Sequence, residues 1–263
     1  MTRLFRMLAA LCAALTVGSV SGVSSAAEPV PGAVWTDPVS SIEFIWIAGG
    51  SFEMGCGAWV EKCTDAEKPS HQVAVKGFWL GKYKVTQGQW MKVMEKNPSQ
   101  FHKGDSYPVD HAYLMLVQDL IGRLNQHGNG TFRLPTEAEW EYACRSGGKN
   151  DTYCGSGAPN DLSWNNQNTR FSTMPVGQKA PNGFGLFDMS GDLYERVEDC
   201  WHDSYQGAPV EGSAWVSTKC ETWALRGGSW GNYPNMLRST ARRNDLEVMC
   251  PYIGVRLARS AEP

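Results

Sequence analysis

The chain has 263 residues, of which 42% are hydrophobic and 19% are charged, and its formal net charge is −3. This composition excludes a disordered or fibrous protein. The slight acidity argues against nucleic acid as a partner, because surfaces that bind nucleic acids are rich in lysine and arginine.

The first 27 residues predict a signal peptide. Arg3 and Arg6 precede an apolar run over residues 7–17, and small residues continue to Ala27. The run is shorter than a membrane-spanning helix requires, and the small residues suit cleavage after Ala26 or Ala27. We therefore expect a periplasmic or secreted protein that has no membrane association once the leader is removed. The alternative interpretation is an uncleaved anchor.

After the leader, the sequence predicts a short tether and then a single domain. Residues 28–40 are polar and rich in proline, which is typical of a tether, and the domain is expected over residues 41–260. Two alternating, β-branched runs at residues 42–47 and 72–75 predict strands.

Three helices are predicted from their capping residues. Thr86 and Thr136 each begin a capping box, with Gln or Glu three positions later, and Asp110 is expected to cap the helix between them. The first helix should end before Asn97, and the third should run through Cys144. The second has its apolar residues at helical spacing, at Val117, Leu120, Ile121 and Leu124.

Seven cysteines remain once Cys12 is removed with the leader, and most should form disulfides in an oxidising compartment. Closeness in sequence favours the pairs Cys56–Cys63 and Cys200–Cys220. For the other three we expect a Cys154–Cys250 pair and a buried, free Cys144. Zinc is the rival interpretation, but no two cysteines have the C-x-x-C spacing of a zinc site.

Beyond Gly148 the sequence predicts long loops. Gly, Asn, Asp and Pro recur among isolated aromatic residues, and no helical period persists. We therefore expect one mixed α+β domain with little regular secondary structure.

Eight sequence blocks follow one another along the chain and together cover nearly all of it after the leader. They are GSFEMG (50–55), EKPSHQV (67–73), KVTQGQW (84–90), NPS (97–99), RLPTEAEWEY (133–142), PNGFGLFDM (181–189), RGGSW (226–230) and IGVRL (253–257). The series resembles the sulfatase-modifying-factor family, whose namesake is the formylglycine-generating enzyme. The resemblance implies a loop-rich variant of the C-type lectin fold.

The resemblance also raises the question of copper. The namesake enzyme is a copper-dependent oxidase whose two copper-binding cysteines follow the Gly-Gly-Ser block. Here no cysteine occurs between Cys220 and Cys250. Because Cu(I) prefers thiolate ligands, and Asn232 and Met236 do not replace two thiolates, we do not expect copper or the oxidase chemistry. Whether the protein is an enzyme of another kind is left open by the sequence.

A structural calcium site is a further expectation from the resemblance. The family has Gly-Asn-Val-Trp-Glu-Trp where this chain has GDLYER (191–196), and the Asn and Glu of that motif help to bind calcium. Asp192 and Glu195 keep oxygen ligands at these positions. The alternative is that Asp192 caps a turn and Glu195 pairs with a base. Arg196 replaces the final Trp, and a charge at this position is expected either to alter the local packing or to expose a new contact surface.

Three functions are consistent with these observations. The first is an exported accessory or maturation factor that acts on another exported protein or peptide; the family includes a periplasmic member required for siderophore maturation. The second is a lectin-like ligand-binding module, in which residues 231–252 match the loop that is diversified in some family members. The third is an oxidase with atypical copper ligands. The residues expected to contact a ligand are Tyr233, Asn235, Arg238, Arg242 and Asn244.

Overall fold

The computed structural model describes residues 28–245 and 250–261, so the predicted signal peptide lies outside the described residues. Four α-helices occur in these ranges: α1 Gln87–Val93, α2 Leu114–Gln126, α3 Glu137–Cys144 and α4 Pro159–Leu162. The strands are β1 Val34–Thr36, β2 Glu43–Ile47, β3 Gly50–Met54, β4 His71–Val75, β5 Phe78–Gly81, β6 Phe132–Arg133, β7 Ser163–Trp164, β8 Ser190–Gly191, β9 Tyr194–Cys200, β10 Trp223–Arg226, β11 Arg242–Asn244, β12 Ile253–Gly254 and β13 Ala258–Ser260. None of the described helices is long and apolar enough to cross a membrane.

A five-stranded antiparallel sheet with the order β1-β2-β5-β13-β6 forms the centre of the molecule. Successive residues of a strand point to opposite faces, and both faces of this sheet are covered. Phe44 and Trp46 of β2 pack on the face covered by α1 and α2. Ile45 and Ile47 pack on the other face, together with Trp140 of α3.

A second sheet, with the order β11-β10-β9-β12, holds the loop-rich half together. Most of its pairings are antiparallel, and β12 runs parallel to β9. The hairpin β3-β4 and the short pair β7-β8 complete the sheets of the described residues. Mixed sheets, few helices and long loops confirm the α+β, loop-rich prediction.

Part of the predicted tether belongs to the fold. Residues 34–36 lie within the segment 28–40, and they form β1, an edge strand paired with β2. The ring of Trp35 packs 5.6 Å from that of Phe44 and 6.1 Å from that of Phe132. The prolines of this segment favoured the prediction of a tether. They do not prevent a strand here, because proline is tolerated at edge strands.

The helices follow the predicted caps with one correction. The capping boxes of Thr86 and Thr136 are both formed. Helix α2, however, begins at Leu114 with Tyr113 as its N-cap, so Asp110 does not cap it. The Asp110 carboxylate instead accepts hydrogen bonds from the backbone amides of Gln100 and Phe101.

Three disulfides join cysteines that are near in sequence. Cys56–Cys63 and Cys200–Cys220 form as predicted. The third, Cys144–Cys154, corrects the expected Cys154–Cys250 pair and the free Cys144. Gly147 and Gly148 both have positive φ, so the chain reverses directly after α3 and brings Cys154 back to the end of that helix, with 4.5 Å between the two Cα atoms.

Candidate functional site

A cavity of about 380 Å³ lies where the second sheet meets the short 3₁₀ turn at Asp65–Glu67. We call it the arginine pocket, because its lining contains three arginines and a single carboxylate. The lining residues are Thr64, Ala66, Glu67, Tyr194, Trp201, Asn235, Met236, Arg238, Ala241, Arg242, Arg243 and Asn244.

The turn that follows β10 sets the course of the loop along one wall of the pocket. Gly227 and Gly228 have φ values of +86° and +75°, and a Cβ atom on Gly228 would lie 2.2 Å from the side chain of Leu237. Both positions therefore require glycine. The side-chain oxygen of Asn232 closes the turn by accepting hydrogen bonds from the backbone amide and the hydroxyl of Ser229, each at 2.9 Å.

Arg238 anchors this loop to the opposite wall. Its two terminal nitrogens each donate to Glu67 at 2.7 Å, a bidentate pair between residues far apart in sequence. Thr240 donates to the same carboxylate at 2.6 Å. Burial raises the pKa of Glu67, but the hydrogen bonds from Arg238 and Thr240 outweigh this, and the net shift is downward.

Arg242 is fixed in the floor of the pocket by a second buried carboxylate. Its Nε and one terminal nitrogen donate to Glu137 at 2.7 and 2.8 Å, and Arg226 donates to the same carboxylate at 3.0 Å. Arg226 also donates to Glu141 at 2.8 Å. Burial raises the pKa of Glu137, yet the charges of Arg242 and Arg226 lower it overall, so Glu137 is ionised at neutral pH.

Aromatic rings supply the apolar part of the site. The guanidinium of Arg242 lies 4.8 Å from the ring of Trp201 and 4.1 Å from that of Tyr205. Tyr194, on β9, lines the pocket and interacts with the guanidinium of Arg243. The pocket thus combines positive charge with aromatic surface.

The predicted ligand-binding residues are brought together with one exception. Asn235, Arg238, Arg242 and Asn244 line the pocket, whereas Tyr233 is 64% exposed and does not. The prediction missed Glu67, Tyr194 and Trp201. Glu67 lies in one of the eight blocks, but nothing local in the sequence indicates that it meets Arg238.

The contacts of Glu195 do not fit a calcium site, whereas one oxygen of Asp192 has no hydrogen-bond partner. Both oxygens of Glu195 already accept hydrogen bonds from Arg256, one also from Trp140 Nε1 at 2.7 Å, and the other forms an ion pair with Lys84 at 2.9 Å. Asp192 is completely buried, and one of its oxygens accepts from the backbone amide of Met174. Within the described residues, no group of three or more His, Cys, Asp or Glu side chains could hold a metal ion.

The same two carboxylates have opposite pKa shifts. Burial raises the pKa of Asp192 to about 8. Burial also raises the pKa of Glu195, but the charges of Arg256 and Lys84 outweigh it and bring the value down to about 2. Glu195 is therefore the ionised partner of two buried cations.

The segment after the Gly-Gly-Ser block, where the namesake enzyme has its copper ligands, is held by hydrogen bonds between its own residues. The amide nitrogen of Asn232 donates to the sulfur of Met236 at 3.6 Å, while its oxygen holds the Ser229 turn. Neither side chain offers a thiolate.

Arg196 does not form the exposed surface that its sequence position suggested. It is 6% exposed, and its guanidinium forms an ion pair with Asp245 and lies 5.7 Å from the ring of Trp223. The buried charge is accommodated because it has both an acidic and an aromatic partner.

Comparisons with known proteins agree with this fold and this pattern of motifs. The chain is 28% identical to "Chaperone protein LppX" of Paenibacillus barcinonensis, over 94% of this chain and 97% of that protein. It is 26% identical to the formylglycine-generating enzyme of Streptomyces coelicolor, over 91% of this chain and 95% of the enzyme. Among solved structures, PvdO from Pseudomonas aeruginosa has a TM-score of 0.78 and 30% identity, over 88% of this chain and 99% of that one.

A family model described as the sulfatase-modifying factor enzyme 1-like domain matches residues 31–261. This range contains all eight blocks, both sheets and the arginine pocket. The chain therefore belongs to the sulfatase-modifying factor enzyme 1-like family.

Proposed function

We propose that this protein is an exported accessory factor that binds a segment of another exported protein or peptide in the arginine pocket, and that it does so without copper-dependent oxidation. The observation that carries the proposal is the lining of the pocket, where Arg238, Arg242 and Arg243 lie beside Trp201, Tyr194 and Met236.

The chemistry of the lining defines the ligand. Three arginines line the pocket against the carboxylates of Glu67 and Glu137, and this excess of guanidinium groups favours an anionic group such as a carboxylate. The aromatic rings and Met236 favour an apolar side chain next to that group. An acidic peptide segment that also contains an aromatic or aliphatic residue satisfies both requirements.

Similarity along nearly the whole chain to a protein named as a chaperone supports an accessory role. The disulfides support export, because such bonds form and persist in oxidising compartments. The missing cysteines after the Gly-Gly-Ser block support a function other than that of the namesake oxidase.

A phage-displayed library of random peptides, panned against the purified protein, tests the ligand class. We expect enriched peptides to carry Asp or Glu next to an aromatic or aliphatic residue. Arg243→Ala should weaken their binding about tenfold, which is roughly 1.4 kcal/mol. Arg243 is the position of choice because Arg238 and Arg242 also hold the buried Glu67 and Glu137, and their removal would disturb the fold.

Arg123→Ala is the matched control. It removes the same charge from the exposed surface of α2, where Arg123 pairs with Asp119. Binding should be unchanged in this variant. No enrichment, or equal loss in the two variants, would contradict the proposal.

The copper question has a direct assay. The protein is incubated with Cu(I) and a peptide containing Cys-x-Pro-x-Arg, with a formylglycine-generating enzyme as the positive control. We expect no aldehyde to form. Aldehyde formation by this protein would show that atypical ligands support the oxidase reaction.

Export is tested by the mass of the protein recovered from outside the cytoplasm of a producing bacterium. Cleavage after Ala26 or Ala27 gives a defined mass for the processed chain. Recovery of only the unprocessed chain in the cytoplasm would contradict export.

A further inference from the structure

Lys84 is one of the most deeply buried charged residues in the described structure. Its side chain has no solvent exposure, although lysine is rarely buried unless it is paired. It lies in the loop between β5 and α1, two residues before the cap Thr86. From there it reaches the turn over residues 188–195, which is more than one hundred residues further along the chain.

The ammonium group of Lys84 contacts two oxygen atoms of that turn. It forms an ion pair with Glu195 Oε1 at 2.9 Å, and it donates a hydrogen bond to the backbone carbonyl of Asp188. The carboxylates of Asp188 and Asp192 both interact electrostatically with it. We call Asp188, Asp192 and Glu195 the acidic turn.

The backbone of the acidic turn is left-handed at two of its positions. Asp188 and Asp192 have φ values of +56° and +62°, a left-handed conformation that is uncommon for residues other than glycine. Glu195 is the carboxylate of the turn whose pKa is lowered, to about 2, and a buried ionised carboxylate requires a cationic partner. Arg256 meets this need on one side of Glu195, and Lys84 meets it on the other.

Carboxylate and carbonyl oxygens are the ligands of a hard metal ion, and here one oxygen of each kind contacts an ammonium group instead. We propose that Lys84 is the permanent cation of the acidic turn and takes the place of a calcium ion there, so that the fold of this protein does not depend on calcium.

Thermal unfolding of the full chain after its leader is removed tests the inference. The melting temperature of the unaltered protein should be the same in EDTA and in millimolar CaCl₂. Lys84→Met should lower it by about 10 °C, because the carboxylates then lose a buried partner. Lys84→Glu should lower it further in EDTA, and calcium should restore part of the loss, since the turn then has a fourth carboxylate and room for an ion.

Lys82→Met is the matched control. Lys82 is two residues away, its side chain is one-quarter exposed, and it pairs with Glu43 at 3.3 Å. Its replacement should shift the melting temperature by about 2 °C or less, with or without calcium.

Each outcome decides the question. A melting temperature of the unaltered protein that falls in EDTA and recovers in calcium would overturn the inference. It would also be overturned if Lys84→Met melted like the Lys82 control, or if Lys84→Glu folded but gained nothing from calcium. If neither Lys84 variant folds, calorimetric titration of the unaltered protein with CaCl₂ decides, and measurable binding at the acidic turn would count against Lys84.

Discussion

Two groups of buried carboxylates are distinguished by their partners. Glu137 and Glu195 each face two cationic side chains, so their pKa values are lowered although burial acts in the opposite direction. Asp199 is almost as deeply buried but accepts only the backbone amides of Glu137 and Trp215. Burial, with the nearby charge of Glu137, raises the pKa of Asp199 to about 7.

This raised pKa predicts how stability changes with pH. Between about pH 4 and pH 7, Asp199 holds its proton in the folded state and loses it in the unfolded state, so it destabilises the fold increasingly as pH rises. Asp199→Asn does not titrate. The variant should be less stable than the unaltered protein at pH 4.5, because it loses one acceptor for a backbone amide, and the difference should shrink by up to about 1.4 kcal/mol per pH unit towards pH 7.

Urea unfolding of both proteins at several pH values measures this difference. All other titrating groups are shared, so their contributions cancel in the comparison. A difference that stays constant, or grows with pH, would show that Asp199 is already ionised at low pH in the folded protein.

At the scale of secondary structure elements, α3 stands out because all eight of its residues are buried. A helix buried on every side normally has apolar residues all round, yet α3 contains Glu137, Glu139 and Glu141. Each of these carboxylates has an arginine partner: Arg133 pairs with Glu139, and Arg226 with the other two. The start of this helix therefore fixes the positions of several ion pairs at once.

The caps of α1 and α3 should differ in their contribution to stability. The hydroxyl of Thr86 accepts from the amide of Gln89 at 3.2 Å. The hydroxyl of Thr136 accepts from Glu139 at 3.1 Å and also donates to the carbonyl of Gly212 at 2.9 Å. Thr86→Ala should cost about 1 kcal/mol, and Thr136→Ala about 2 kcal/mol, because a second buried hydrogen bond is lost.

Chemical denaturation of the two alanine variants gives these values. Thr136→Ser retains the hydroxyl and should recover most of the loss. Equal costs for the two alanine variants would mean that the bond to Gly212 contributes nothing.

For the whole molecule, the depth of each disulfide predicts the order in which it is reduced. Cys144 and Cys154 lie in the main core and are 0% and 4% exposed. The other two disulfides each have one partly exposed partner, Cys63 or Cys220. Mild reduction with an alkylating agent in native buffer should therefore label Cys63 and Cys220 well before Cys144 and Cys154, which become accessible only when the core opens.

Peptide mass spectrometry over a time course follows this order. In denaturing urea all six cysteines of the three disulfides should be labelled at similar rates. Labelling of Cys144 as fast as Cys63 in native buffer would show that the end of α3 opens without unfolding of the core.

The features that the sequence predicted well are local ones. Each capping box joins residues three positions apart, and the Gly-Gly turn after β10 depends on its own backbone, so neighbouring residues suffice to specify them. Four of the five predicted ligand-binding residues reach the pocket because they share one loop and one strand. The calcium expectation considered Asp192 and Glu195 without Lys84, which lies far from them in sequence.

The sequence alone determined the family, the α+β class and the capped starts of α1 and α3, because these follow from the order of motifs and from short-range geometry. Only the tertiary structure decided which charges meet. Arg238 pairs with Glu67, and Lys84 pairs with Glu195, although the partners are more than one hundred residues apart in sequence. The energy of such a pair depends on its burial and on the distance between the charges, and neither quantity can be derived from the sequence pattern. The same long-range folding formed the arginine pocket and placed an ammonium group where a calcium ion had been expected.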